Sequence, residues 1–199
     1  MAFQYYDQIA EGYEELHREE QLVKLSLVTR WLADHRPIKP MDLLLDVACG
    51  TGLTSGFPCR AVGLDPAAKL LERNPHPLLV QGEAEHLPFA DGTFDIVSSI
   101  TALQNCHDPE LALREMGRVG KSDCLFVMSF LKKAKRAGEF DRMIRQQFSH
   151  IERVEEEKDW VYFCWKGIRQ TGVSFNKLTI SKINGAMLDV SKNYLSNLS

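Results

Sequence analysis

Two glycines, two acids and a histidine carry most of the chemistry that can be read from this sequence. Gly50 and Gly52 follow the apolar run "LLLDVA" (43–48), and Asp65 follows a second apolar run, "RAVGL" (60–64). Glycines placed directly after a buried strand let the backbone turn tightly, adopt positive φ and approach a bound molecule closely. A carboxylate at the end of the next strand can accept hydrogen bonds from two neighbouring hydroxyls, the pattern a ribose diol presents. Asp46 stands four residues before Gly50; its charge repels a pyrophosphate and favours a cationic ligand. His107 falls in a strand-end loop within reach of a substrate, although it also immediately precedes a helix cap.

The elements that must present these groups alternate along the chain. "LLLDVA" (43–48), "RAVGL" (60–64), "PLLVQ" (77–81), "FDIVSSI" (94–100) and "CLFVMSF" (124–130) are strand candidates. Several are apolar almost throughout, as parallel strands covered on both faces are. Residues 4–17 and 19–36 read as two helices, the second with Leu22, Leu25, Val28 and Leu32 on one face and Trp31 beside them; "RPIKP" then ends it. "DPAAKLLER" and "DPELALREMGRV" each begin with an acid and a proline, a cap followed by the first helical position. "AKRAGEFDRMIRQQF" carries an apolar stripe at Phe140, Ile144 and Phe148, and "HIERVEEEKDWVYFCWK" predicts two strands joined near 155–159. This alternation predicts an α/β fold: a doubly wound, mostly parallel seven-stranded sheet with helices on both faces and a final antiparallel hairpin. The expected division is one domain over 1–167 and a weakly periodic extension over 168–199.

Composition narrows the classes further. The 199 residues are 44% hydrophobic and 26% charged with a formal net charge of −3, so the overall balance points to neither nucleic acid nor an anionic membrane. No apolar run approaches the roughly 20 residues of a spanning helix, and the start "MAFQYYDQIAEGYEELH" lacks the features of a secretory signal. Five scattered cysteines without C-x-x-C spacing read as small buried hydrophobes in a reducing, cytoplasmic setting. No cluster has metal-ligand spacing. One local exception to the charge balance is the stretch 132–148, where Lys132, Lys133, Lys135, Arg136, Arg142 and Arg145 face only Glu139 and Asp141, a local charge of +4. Such a run is most often a solvated helix face, with contact to RNA phosphates as the alternative.

A glycine turn plus a ribose-type acid fits several adenosine cofactors. A nicotinamide dinucleotide is disfavoured because Ser55 stands where the third glycine of G-x-G-x-x-G belongs, and because Asp46 opposes a pyrophosphate. Four segments taken in order resemble the class I S-adenosylmethionine-dependent methyltransferases: "LDVACGTG" (45–52), "GLDPAAKLLE" (63–72), "GEAEHLPF" (82–89) and "FDIVSSITAL" (94–103). The resemblance runs from about Tyr5 to Lys166. It implies S-adenosyl-L-methionine as cofactor and S-adenosyl-L-homocysteine as product. It further implies that Asp46, Ala48, Cys49 and Gly50 lie about the methionine moiety and that Asp65 and Pro66 lie at the ribose. Glu83 and Ala84 would meet the adenine, Thr101 would stand near the sulfonium, and Tyr13 would cover the cofactor from an N-terminal helix.

The chain also departs from that family. Ala48 replaces the usual first glycine, the segment between the turn and the second strand is cut to "LTSGFP", and Gln104 and Asn105 stand where paired histidines are common. The last change leaves His107 as a weak candidate base and no assigned catalytic residue. The implied activity is methyl transfer to a nucleophilic O, N or C, with a small molecule favoured as acceptor, tRNA as an alternative, and a small activator subunit as a partner to consider. A non-catalytic S-adenosylmethionine-binding subunit is the competing class.

Overall fold

The computed structural model describes residues 13–52 and 57–166. Most of the helix expected over 4–17, the segment after the glycine turn and the extension 168–199 lie outside the described residues.

The strands are β1 (Leu43–Val47), β2 (Arg60–Asp65), β3 (Leu79–Gln81), β4 (Phe94–Ile100), β5 (Gly120–Leu131), β6 (His150–Glu155) and β7 (Asp159–Trp165). They form one sheet in the order β3-β2-β1-β4-β5-β7-β6. The first five pair in parallel, and β7 runs antiparallel to both β5 and β6. Strand β1 lies between β2 and β4, so the chain reverses its direction of winding there. In an open α/β sheet that reversal opens a crevice beyond the carboxyl ends of the strands.

Both faces of the sheet are covered. Helix α1 (Tyr13–His35) lies against one, with Leu25, Val28, Trp31 and Leu32 buried and Trp31 stacked on Phe163 at 3.7 Å. The two helices expected across 4–36 are not separated near residue 18: α1 runs unbroken, because "ELHREEQ" holds neither proline nor glycine to interrupt its hydrogen bonds. The short α2 (Ala68–Leu71) follows β2, while the other face carries a 3-10 turn (Leu103–Asn105), α3 (Pro109–Val119) and α4 (Ala137–Gln147). Beneath them Phe126, Met128, Phe140, Ile144, Phe148 and Tyr162 form one continuous apolar layer.

Several element boundaries differ from the sequence expectation, two of them by more than trimming of an end. Helix α2 starts at Ala68 with no side-chain cap, rather than at Asp65-Pro66. Asp65 is instead the last residue of β2, in register with Gln81, and its carboxylate accepts the Ala67 and Gly50 N–H groups. Strand β5 begins at Gly120 rather than Cys124, because Phe94 pairs with Gly120 and an irregularity before Ile96 absorbs the polar "KSD". Helix α3 begins as expected: Asp108 accepts the Leu111 N–H at 3.0 Å and Pro109 takes the first helical position. The five cysteines are all free thiols, and among the described residues no helix is long and apolar enough to cross a membrane.

Candidate active site

The carboxyl ends of β1, β2, β3 and β4 converge on a cavity of about 570 Å³, closed on one side by the start of α3. That volume falls within the range of small-molecule sites. Ala48 and Gly50 line it from the turn after β1, Asp65 and Pro66 from the end of β2, residues 83–86 from the loop after β3, and Ile100 and Thr101 from the end of β4 and the residue after it.

The turn after β1 takes an unusual backbone. Gly50 and Gly52 adopt φ of +54° and +85°, and Ala48 adopts +59°. Gly50 presents its N–H to Asp65 Oδ2 at 2.8 Å, and the Ala67 N–H reaches Oδ1 at 2.8 Å. The carboxylate therefore braces two loops while standing on the cavity wall. A side chain at Gly52 would run into the Asn74 amide. That amide donates to the Gly50 carbonyl at 3.0 Å, so Asn74 holds the turn from behind.

The residues singled out from sequence separate into two groups. Ala48, Gly50, Asp65, Pro66, Glu83, Ala84, Thr101 and His107 all line the cavity. Asp46 and Cys49 do not. Asp46 is buried beneath the turn, where its Oδ1 accepts the Ser98 hydroxyl at 2.8 Å. Cys49 turns its sulfur toward Gly63 and Asn74 on the side away from the cavity, and burial raises its thiol well above the ordinary range. Tyr13 opens α1, and its side chain lies outside the described residues.

Three further groups shape the site. Glu85 is buried and accepts the backbone N–H of His107 at 2.7 Å and of Asp108 at 3.1 Å. It thereby ties the loop after β3 to the loop after β4, one on each side of the cavity. Arg118 donates to the carbonyls of Leu87 and Phe89 and to Glu115, fixing the stretch that follows Glu85. Cys106 lies in the wall; burial, reinforced by Glu85 and Glu83, pushes its thiol up to about 12, so it is neutral at physiological pH. Glu85 sits inside a motif already noted, but its hydrogen-bond partner lies 22 positions away, a relation that spacing does not reveal. Asn74 and Arg118 carry no sequence signal of their own.

The fold is thus a doubly wound sheet with a crevice at its switch point. Residues 45–128 match the family model described as a methyltransferase domain. Over that segment the chain is similar to the class I S-adenosylmethionine-dependent methyltransferases. An uncharacterised protein of Methanocaldococcus jannaschii is 35% identical over 130 residues, 63% of this chain and 50% of that one. A demethylmenaquinone methyltransferase of Renibacterium salmoninarum is 34% identical over 128 residues, 58% of this chain and 52% of that one. The chain thus spans about half the length of these curated relatives.

Among solved structures, a protein of Methanococcus maripaludis assigned as an S-adenosyl-L-methionine-dependent methyltransferase superposes with a TM-score of 0.68 at 14% identity, over 82% of this chain and 94% of that one. A chain of the Haloferax volcanii complex between the Trm112 methyltransferase activator and a methyltransferase gives 0.61 at 15% identity, over 82% and 97%. The [4+2]-cyclase SpnF gives 0.55 at 19% identity, over 65% and 60%. At these identities the likeness is one of fold.

The cavity suits the family's cofactor on its own chemistry. An acid capable of holding a diol stands at the end of β2, and a backbone turn with positive φ opens space beside it. Ala67, Leu70, Ala84 and Leu111 supply apolar surface for a purine. Among the described residues of the lining, the carboxylates face no lysine or arginine, which matches a ligand carrying positive charge.

Proposed function

We propose that this chain is a methyltransferase that binds S-adenosyl-L-methionine in the cavity at the β1–β4 switch point. The observation that carries the proposal is Asp65, held by the Gly50 and Ala67 amides so that its carboxylate stands at the cavity wall between the glycine turn and the apolar slot. Asp65 holds the ribose, Gly50 and Ala48 admit the methionine part, and Ala84 and Leu111 enclose the adenine. When bound, the cofactor supplies an electrophilic methyl group on a positively charged sulfur. The chain's contribution is to align an acceptor opposite the leaving sulfur; orientation of this kind accounts for about 7–11 kcal/mol of barrier without a covalent intermediate.

A small-molecule acceptor is favoured over RNA. Of the six cations in 132–148, Lys132, Arg136 and Arg145 are paired within the protein, with Glu155, Glu139 and Asp141. Half of the basic run is therefore compensated locally, which weakens a phosphate-binding face. The Renibacterium relative, named for a menaquinone precursor, agrees with a small acceptor. The Haloferax complex supports an activator subunit as a partner. A second reading, binding of the cofactor without methyl transfer, is favoured by one comparison: SpnF, a cyclase, shares the fold, so the fold does not dictate transfer.

The test is incubation of the full chain with methyl-labelled S-adenosylmethionine and separated small-molecule and RNA pools, with and without a co-expressed activator. Label in a small-molecule product supports the proposal, and label in RNA replaces the favoured acceptor. Cofactor binding with no label in any pool establishes the non-catalytic reading.

A further inference from the structure

Behind the cavity wall lies a buried ion pair that the cofactor chemistry does not use. Lys24 of α1 and Asp159 at the start of β7 are 1% and 0% exposed, with their charged atoms 2.9 Å apart. Both close on Thr101. Its hydroxyl accepts from Lys24 Nζ at 2.8 Å and donates to Asp159 Oδ2 at 2.8 Å. Ser129 completes the group, accepting the Thr101 backbone N–H on its hydroxyl at 3.0 Å and donating to Asp159 Oδ2 at 3.1 Å. Asp159 Oδ1 is buried without a hydrogen-bond partner.

Thr101 is itself strained. Its φ is +55°, in the left-handed region that a β-branched residue rarely enters. Among the described residues only Ala48 and Thr101 combine a side chain with positive φ, and both line the cavity. Such a conformation persists where the surroundings over-determine it. A buried ion pair, in turn, is seldom retained for stability, since apolar residues of similar volume do as well or better. The two oddities explain each other.

We propose that Lys24 and Asp159 are positioning residues that clamp Thr101 in its left-handed conformation, so that the docking of helix α1 sets the shape of the cofactor cavity. The proposal rests on the cofactor assignment above. Without the clamp, Thr101 relaxes, and cofactor binding must restore the strained wall. The left-handed conformation costs an ordinary residue enough to weaken binding about 5- to 30-fold. Glycine at 101 takes positive φ freely and needs no clamp.

The experiment is calorimetric titration of the full chain with S-adenosylhomocysteine, using the double variant Lys24→Met/Asp159→Leu and the triple variant that adds Thr101→Gly. The double variant binds about 5- to 30-fold more weakly while its thermal melt stays cooperative, and the triple variant recovers most of the loss. Unchanged affinity in the double variant, or no recovery in the triple, overturns the clamp. Absence of binding by the unaltered chain overturns the cofactor assignment and the clamp with it. Should the double variant not fold, Thr101→Val is compared with Thr101→Gly in the otherwise unaltered chain. Both lack the hydroxyl, so weaker binding by valine supports the clamp and equal binding overturns it.

Discussion

Replacing Asp65 by asparagine removes one charge and turns one carboxylate oxygen into an amide donor. In the native chain the two oxygens accept from Gly50 N–H and Ala67 N–H, each at 2.8 Å. Asparagine can serve only one of them, because its NH₂ meets the other N–H donor to donor. The unserved amide costs about 1–3 kcal/mol of stability. The ligand loses as well: two hydrogen bonds from a diol fall from charge-assisted to neutral strength. At about 1–1.5 kcal/mol each, the loss is about 2–3 kcal/mol, or roughly 30- to 160-fold in Kd. Asp65→Ala removes both acceptors and weakens binding further. Calorimetric titration with S-adenosylhomocysteine reads the affinity, and a thermal melt of each variant separates it from unfolding. Binding by Asp65→Asn within twofold of the native chain refutes the ribose role.

Other expectations follow from the same geometry. Glu85→Ala frees the loop containing His107 and Asp108 from the loop after β3, and the cavity loses definition; hydrogen exchange at the amides of 107 and 108 speeds up, and cofactor affinity falls about tenfold or more. Gly63→Ala places a methyl group 2.8 Å from Cys49 Sγ and 2.9 Å from Leu79, so it lowers stability by about 1–3 kcal/mol in a denaturant titration. Trp31→Ala strips the stack on Phe163 and costs about 3–5 kcal/mol, read in the same assay. Arg145 beside Asp141 and Arg118 beside Glu115 hold both carboxyls below their ordinary values of 3.8 and 4.5. A depressed carboxyl adds stability that is complete above its unfolded value and lost as pH falls through the folded one. Acid unfolding below about pH 4.5 is therefore shallower in Asp141→Asn and Glu115→Gln than in the native chain.

The parallel sheet was legible because β1, β2, β4 and β5 are apolar on both faces, and "LLLDV" leaves little alternative to a buried strand. Asp65 was legible as a candidate site acid for the same reason: no solvated face accounts for it so close to two buried runs, and it lines the cavity. Its bonding was not legible. The Asp-Pro pair carries a helix-start signal, yet Asp65 ends β2 beside Gln81 and its carboxylate is shared between the Ala67 amide and the distant Gly50 amide. Asp46 shows the converse, an acid within a motif that turns out to satisfy Ser98 beneath the turn. The Lys24–Asp159 pair was invisible because its members lie 135 positions apart, and a lysine between apolar helix positions reads as a surface residue until the tertiary fold closes over it.

Whether the cavity holds S-adenosylmethionine is read by calorimetric titration of the unaltered full chain with S-adenosylmethionine, S-adenosylhomocysteine and NADH. Saturable one-to-one binding of the first two and none of the third is expected. Binding of NADH with neither S-adenosyl compound bound overturns the cofactor assignment.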